Sequence, residues 1–180
     1  MRETSLYGAL RFNPLILVLS LAVVSSARAD DVKYPSMAPV AQYMMDQDAE
    51  IALARTGAPP SVADKAEVLV LGAKGYETAV KGSNGFVCYV GRSWENDFSN
   101  AEFWEAKNRA PECVNAVAAR WYLPIYRQRT EWVMSGASKD EMVAKTKAAI
   151  AAKQITAPPA GAMCLMLSKE GYLGDGAGGP

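Results

Sequence analysis

The chain has 180 residues, half of them hydrophobic, with 19 basic and 19 acidic side chains and no histidine. This size and composition are typical of one globular domain, and the balanced charge offers no basic face for nucleic acid or an anionic membrane. The absence of histidine excludes Ser-His-Asp and Cys-His catalysis and His-ligated zinc, so any chemistry depends on carboxylates, lysines, tyrosines or the three cysteines.

The first 29 residues predict a secretory signal peptide. Arg2 and Arg11 form a basic start, and Leu15–Val24 is apolar except for one serine. Ala27-Arg28-Ala29 then places small residues at the two positions that a signal peptidase reads. The apolar run is about half the roughly 20 residues that a membrane span requires. We therefore expect an exported protein, periplasmic or secreted, that begins at Asp30 and has no integral membrane segment once the signal is removed.

The remaining chain is predicted to form one domain over residues 30–170, followed by a glycine-rich tail at 171–180. A helix is predicted over Pro39–Arg55, because apolar residues recur there at helical spacing and proline is tolerated in a first turn. Asp46 and Glu50 are four residues apart and therefore share one face of this helix. Two such carboxyl groups can divide the roles of acid and base, or they can simply face water, which is the usual outcome.

Three short strands are predicted next, over Glu67–Leu71, Tyr76–Lys81 and Phe86–Arg92. The first is rich in β-branched residues, and the second alternates between two faces. Turn residues separate the strands at Ala73–Gly75 and Gly82–Gly85, where asparagine and glycine accept the positive φ that a hairpin requires. The sequence therefore predicts an antiparallel meander.

The second half of the chain begins with Ser93–Glu112, predicted to be a long loop with several aromatic residues that either lies over a site or completes the core. A helix over Asn115–Met134 should kink or split near Pro124. A capping box that begins at Ser138 predicts another helix. A late strand, Ala162–Leu167, is apolar on both faces and is expected inside the sheet. Together with the meander, these elements predict an α+β fold with about three helices.

Several strings of the sequence are distinctive, namely Ala49–Arg55, Gly75–Cys88, Arg92-Ser93-Trp94, Gly161–Cys164 and Gly171-Tyr172-Leu173. Over Tyr43–Asp175 the chain resembles an uncharacterised family of small exported bacterial proteins. The resemblance implies no particular activity. Members of that family continue past the glycines with a histidine-containing apolar segment, so the resemblance implies that this chain is truncated after Pro180.

The three cysteines, Cys88, Cys113 and Cys164, all follow the predicted signal peptide. In an oxidising compartment they can form at most one internal disulfide, which leaves one thiol. Cys88 and Cys164 lie in apolar strand patterns, where cysteine is usually a small buried hydrophobe. Cys113 precedes a predicted helix, whose dipole can lower a thiol pKa. Cys113 is therefore the candidate for thiol chemistry, although inert roles for all three cysteines are the commoner outcome.

Two groups of polar residues are candidates for ligand binding. One follows the predicted strands, where an aromatic and charged sheet face suits a small ligand or a partner. The other lies on the long helix, where two arginines seven residues apart share a face that suits a carboxylate or phosphate. Ordinary surface charge pairing is the alternative for both groups. The candidate residues are Tyr76, Glu77, Lys81, Asn84, Arg92, Trp94, Arg120 and Arg127.

These observations favour an exported, non-enzymatic domain that binds a small ligand or a partner protein, with no cofactor, metal or nucleic acid. The alternative is an extracytoplasmic enzyme that uses carboxylates or the Cys113 thiol, and a structural envelope protein is a third possibility. Ionisable groups that converge in one pocket would favour the enzyme. A flat apolar patch would favour a partner protein.

Overall fold

The computed structural model describes residues 34–175, so the predicted signal peptide and residues 176–180 of the tail lie outside the described residues. Five strands form one mixed sheet with helices packed against both faces, which confirms the α+β fold. The strands are β1 (Glu67–Gly72), β2 (Gly75–Val80), β3 (Val87–Gly91), β4 (Ala110–Val114) and β5 (Cys164–Leu165). The α-helices are α1 (Gln47–Arg55), α2 (Pro60–Ala63), α3 (Ala116–Met134) and α4 (Lys139–Ala151), and two 3₁₀ turns cover Val40–Gln42 and Ser93–Glu95.

The predicted meander is correct for its first two strands and wrong for the third. β1 and β2 form an antiparallel hairpin, but β3 lies on the other side of β1 and runs parallel to it, which gives the order β2-β1-β3-β4-β5. The segment around Gly82 crosses over the start of β1, where a Cβ on Gly82 would lie 2.1 Å from the backbone nitrogen of Glu67. Every residue of β3 is buried, so an interior position satisfies the strand better than an edge.

The structure corrects two further predictions about strands. The predicted loop over Ser93–Glu112 is too long, because its last three residues belong to β4. This strand is interior and pairs antiparallel with β3. The late strand predicted at Ala162–Leu167 is reduced to the two residues of β5, which pair with β4 at the edge of the sheet. Its apolar neighbours Met163, Met166 and Leu167 are exposed rather than interior.

The helices follow the local signals more closely. The helix predicted over Pro39–Arg55 is divided, because Asp46 caps a new helix, α1, by accepting a hydrogen bond from the backbone nitrogen of Ala49 at 3.1 Å. Helix α3 continues through Pro124 without ending. The predicted capping box is confirmed, since Ser138 and Glu141 bond to each other's backbone at the start of α4.

The sheet separates two hydrophobic clusters. Along β3, Cys88 and Val90 belong to the cluster beneath α1, whereas Val87 and Tyr89 belong to the larger cluster beneath α3. Strand alternation therefore sends successive side chains to opposite faces. The larger cluster contains most of the aromatic residues, including Trp94, which is completely buried.

A disulfide joins Cys88 on β3 to Cys113 on β4, and Cys164 is left free at the exposed edge. The bond removes the Cys113 thiol from the list of candidate nucleophiles. Disulfides persist in oxidising compartments, so this bond is compatible with an exported protein. Within residues 34–175, no helix has the length and apolar character needed to cross a bilayer.

Candidate functional site: a cleft at a buried pair of glutamates

A cleft of about 410 Å³ opens beside the ends of β3 and β4. Apolar side chains, including Met166 and Leu173, form part of its wall. The rest is rich in carboxyl and amide groups, a composition suited to a small polar or charged ligand. These groups belong to Glu95, Asn96, Asn100, Glu102, Asn108 and Glu112.

Two of the acidic residues, Glu95 and Glu112, form a close pair. The Tyr89 hydroxyl lies 3.0 Å from Glu95 Oε1 and 3.0 Å from Glu112 Oε2. Gly91 makes the approach possible, because a Cβ there would lie 2.1 Å from Glu95 Oε2 and 3.0 Å from Glu112 Oε1. A larger residue at position 91 would therefore push the two carboxyl groups away from the strand.

The donors around the pair are too few for two carboxylate ions. Tyr122 donates to Glu95 Oε1 at 2.5 Å, and the Cys164 thiol, a weak donor, lies 3.3 Å from Glu112 Oε2. The single Tyr89 proton can serve only one of its two neighbours fully. Glu95 Oε2 is buried and has no hydrogen-bond partner among the described residues.

The shortage of donors and the burial together favour a proton on the pair. Burial raises the pKa of Glu95 well above its ordinary value, and the negative charge of Glu112 raises it further. Burial also raises the pKa of Glu112. Two buried carboxyl groups this close cannot both ionise at low cost, so they retain one proton at pH values where an exposed glutamate has lost its own.

The tyrosines that surround the pair are fixed donors. Burial raises the pKa of Tyr89 and Tyr122, and the charge of Glu95 raises each further. Tyr122 also stacks on Tyr126, with 5.9 Å between the ring centroids, and the Tyr126 hydroxyl accepts a hydrogen bond from the backbone nitrogen of Arg92 at 2.9 Å. The network therefore holds the segment between β3 and Glu95 in place.

Arg92 lines the cleft, but its guanidinium is already occupied. It donates to Glu50 at 2.8 Å, to the carbonyl of Tyr43 at 2.8 Å and to the carbonyl of Val90. Arg92 and Glu50 are each 1% exposed. Glu50 therefore does not face water beside Asp46, as is usual for a charged helix face, and instead neutralises a buried arginine.

The other predicted ligand-binding residues are dispersed over the molecule. Tyr76 and Trp94 are buried, and their polar atoms bond to Val90 and Thr130 respectively. Asn84 stabilises its own turn through the carbonyl of Val62 and the nitrogen of Phe86. Glu77 and Arg127 line a separate hollow beside β2, and Lys81 and Arg120 are exposed elsewhere. Ligand binding by these residues stays a prediction, and only Arg92 among the eight belongs to the cleft.

The central residues of the cleft, Glu95 and Glu112, were not predicted as site residues from the sequence. They lie on different elements. Each has aromatic or apolar neighbours in the sequence, which do not indicate a buried charge. The available signal was Gly91, a glycine inside an apolar strand, which often marks a close approach of another group. Among residues 34–175, no group of three potential metal ligands is arranged to hold a metal ion.

Searches of protein families, of curated proteins and of solved structures find no match to this chain. The resemblance to a family of small exported bacterial proteins therefore stays a prediction. The function has to be inferred from the chemistry of the cleft.

The shared proton leads to a testable dependence of stability on pH. A carboxyl group whose pKa is raised on folding stabilises the protein at low pH, and that contribution is lost as the pH rises through the folded pKa. Glu95→Gln mimics the protonated form and should remove this loss. We therefore expect the variant to have a higher unfolding free energy than the unchanged protein at pH 8, and the difference should shrink as the pH falls.

Chemical denaturation between pH 5 and 8 measures this effect. Glu77→Gln is the matched control, because Glu77 is an exposed glutamate on β2. The shared proton is refuted if Glu95→Gln retains the same slope of stability against pH as the unchanged protein.

Proposed function

We propose that this protein is an exported domain that binds a small organic cation in the cleft, with the Glu95–Glu112 pair as the charged anchor. The observation that carries the proposal is the uncompensated charge of the pair. Neither carboxyl group has a lysine or arginine partner within salt-bridge distance among the described residues. Arg92, the basic residue in the lining, is already neutralised by Glu50.

A positively charged ligand would take the place of the shared proton. The pair binds a proton because burial disfavours two negative charges. An ammonium group supplies the same compensation and also donates up to three hydrogen bonds. It would satisfy Glu95 Oε2, the buried oxygen that has no partner within the described residues.

The remaining walls favour an organic cation over a metal ion. Calcium typically takes six to eight oxygen ligands, and the described residues offer no group of three acidic, cysteine or histidine side chains suited to a metal. Met166 and Leu173 can instead contact an apolar stem. A volume of about 410 Å³ lies in the usual range for small-molecule sites.

Butylammonium is a suitable probe, with 1-butanol as the neutral control of the same shape. We expect butylammonium to bind and 1-butanol not to bind. At pH values below the pKa of the pair, each increase of one pH unit should raise the association constant by up to about tenfold, because one proton leaves as the cation enters. Isothermal titration calorimetry in two buffers of different ionisation enthalpy measures both the affinity and the proton released.

The variants Glu95→Gln and Glu112→Gln should both lose butylammonium binding, whereas Glu77→Gln should keep it. Equal binding of 1-butanol, or an affinity that does not change with pH, would contradict the proposal.

Export itself is tested by intact-mass analysis of the protein from its native compartment, where a chain that begins at Asp30 is expected.

The same pair supports a second candidate function, a carboxylate-dependent enzyme acting outside the cytoplasm. A protonated carboxyl group beside an ionised one is the arrangement that general acid–base catalysis uses. A thiol enzyme is less well supported, since Cys113 is in a disulfide, and burial and the charge of Glu112 raise the pKa of the Cys164 thiol. Hydrolysis of peptide or glycoside substrates that is abolished by Glu112→Gln would favour the enzyme, and cation binding without turnover would favour the binding domain.

A further inference from the structure

A second cavity, of about 230 Å³, lies on another side of Glu112. It is a half-open hollow bordered by α3, β4 and the segment that leads into β5. Its walls are formed mainly by Val114, Ala118, Trp121, Tyr122, Ala162 and Met163. Glu112 and Cys164 supply its polar groups, so this cavity differs in character from the carboxyl- and amide-lined cleft.

The two aromatic rings that line the cavity have their polar atoms engaged elsewhere. The Trp121 indole nitrogen donates to the carbonyl of Thr156 at 3.1 Å, and the Tyr122 hydroxyl donates to Glu95. The rings lie next to each other, with 6.0 Å between their centroids. They therefore contribute apolar surface to the cavity rather than hydrogen-bonding groups.

One polar contact in this cavity is weak and replaceable. The Cys164 thiol lies 3.3 Å from Glu112 Oε2, and a thiol is a poor hydrogen-bond donor. Glu112 is only 7% exposed, so water gives it little compensation. A ligand hydroxyl or N–H would form a stronger bond to the same carboxyl group.

We infer that this cavity is a binding site for a small aromatic molecule that carries one hydrogen-bond donor, with the donor directed at Glu112. Size agrees with this class of ligand, because an apolar cavity of about 150 Å³ is enough to bind benzene. A single substituted ring therefore fits a cavity of about 230 Å³, whereas a drug-sized ligand does not.

Glu112 lines both cavities, so the two sites are coupled. A hydrogen bond from the aromatic ligand favours the charged form of Glu112. The aromatic ligand should therefore strengthen cation binding in the cleft, and the cation should strengthen aromatic binding by the same factor. This coupling rests on the proposed function, whereas occupancy of the second cavity does not.

Phenol is the probe, and toluene is the control of similar shape without a donor. We expect phenol to bind and to shift the NMR signals of the Trp121 indole N–H and the Met163 amide. Ala162→Leu fills the cavity and should weaken phenol binding at least tenfold. Ala101→Leu is the matched control, because Ala101 lines the cleft instead and should leave phenol binding unchanged.

Cys164→Ala provides a second test at an exposed position, where misfolding does not confuse the result. It removes the competing donor, so phenol should bind about fivefold more tightly, the gain expected from one freed hydrogen bond. Equal binding of toluene and phenol, or equal effects of Ala162→Leu and Ala101→Leu, would overturn the inference. Phenol binding that leaves the affinity for butylammonium unchanged would overturn the coupling between the two cavities, but not the binding of an aromatic ligand in the second cavity.

Discussion

Replacing Arg92 with methionine should lower the free energy of unfolding by about 3–5 kcal/mol. Arg92 and Glu50 are both buried, and 2.8 Å separates the guanidinium nitrogen from the carboxylate oxygen. Removal of the arginine leaves the Glu50 charge buried without compensation. It also removes the arginine donors of the Tyr43 and Val90 carbonyls, of which the Val90 carbonyl keeps its bond from the Tyr76 hydroxyl. The loss should therefore be far larger than that of an exposed ion pair.

Arg120→Met is the matched control, because Arg120 is exposed and surface substitutions usually change stability by about 0.5 kcal/mol or less. The double variant Arg92→Met, Glu50→Leu should recover part of the loss, since it removes the orphaned carboxylate as well. Chemical denaturation at pH 7 measures all three proteins. Equal stability of Arg92→Met and Arg120→Met would show that the buried pair contributes nothing.

The buried pair also explains how the fold fixes the cleft. Glu50 lies on α1, and Arg92 follows directly after β3. Their contact joins the helix on one side of the sheet to the segment that leads to Glu95. On the other side, the Tyr126 hydroxyl on α3 holds the same segment through the Arg92 nitrogen. The position of Glu95 is therefore set by interactions from both layers of the fold.

Local signals in the sequence predict the parts of the fold that depend on local contacts. The hairpin of β1 and β2, the start of α3 next to Asn115 and the capping box at Ser138 all involve residues close in sequence. The position of β3 depends on long-range pairing instead. Gly85 does adopt a positive φ, of 78°, but turn residues alone do not determine whether the chain reverses or crosses over. The run Val87–Gly91, which contains no charged residue, was the better indication of an interior strand. All five of its residues are buried in the structure.

The carboxyl pair was harder to predict for a similar reason. Pro111 lies inside β4, opposite Val90, and a proline within a sequence argues against an interior strand. Once β4 is missed, nothing in the sequence places Glu112 beside Glu95. Cationic residues were easier to select as candidates, but arginine and lysine side chains are common on surfaces. Only the three-dimensional pairing distinguishes Arg92 from Arg120.

Removal of the Cys88–Cys113 disulfide should lower the free energy of unfolding by about 3 kcal/mol. The bond joins residues 25 positions apart in the sequence, and the closed loop reduces the conformational freedom of the unfolded chain. Both cysteines are completely buried and join two interior strands, β3 and β4. The double variant Cys88→Ala, Cys113→Ala and thermal unfolding with and without reductant both measure the effect. Cys164→Ala is the control, because Cys164 is exposed and takes no part in the disulfide.

The same bond makes stability depend on the compartment in which the chain folds. A loss of about 3 kcal/mol is a large part of the 5–15 kcal/mol that stabilises a typical domain. The chain should therefore be most stable where disulfides persist, as the proposed export requires. Thiol titration of the denatured protein measures the number of free thiols per chain. Material from an oxidising compartment should contain one free thiol, at Cys164, and fully reduced material should contain all three. Three free thiols in protein taken from its native compartment under alkylating conditions would contradict both the bond and the export.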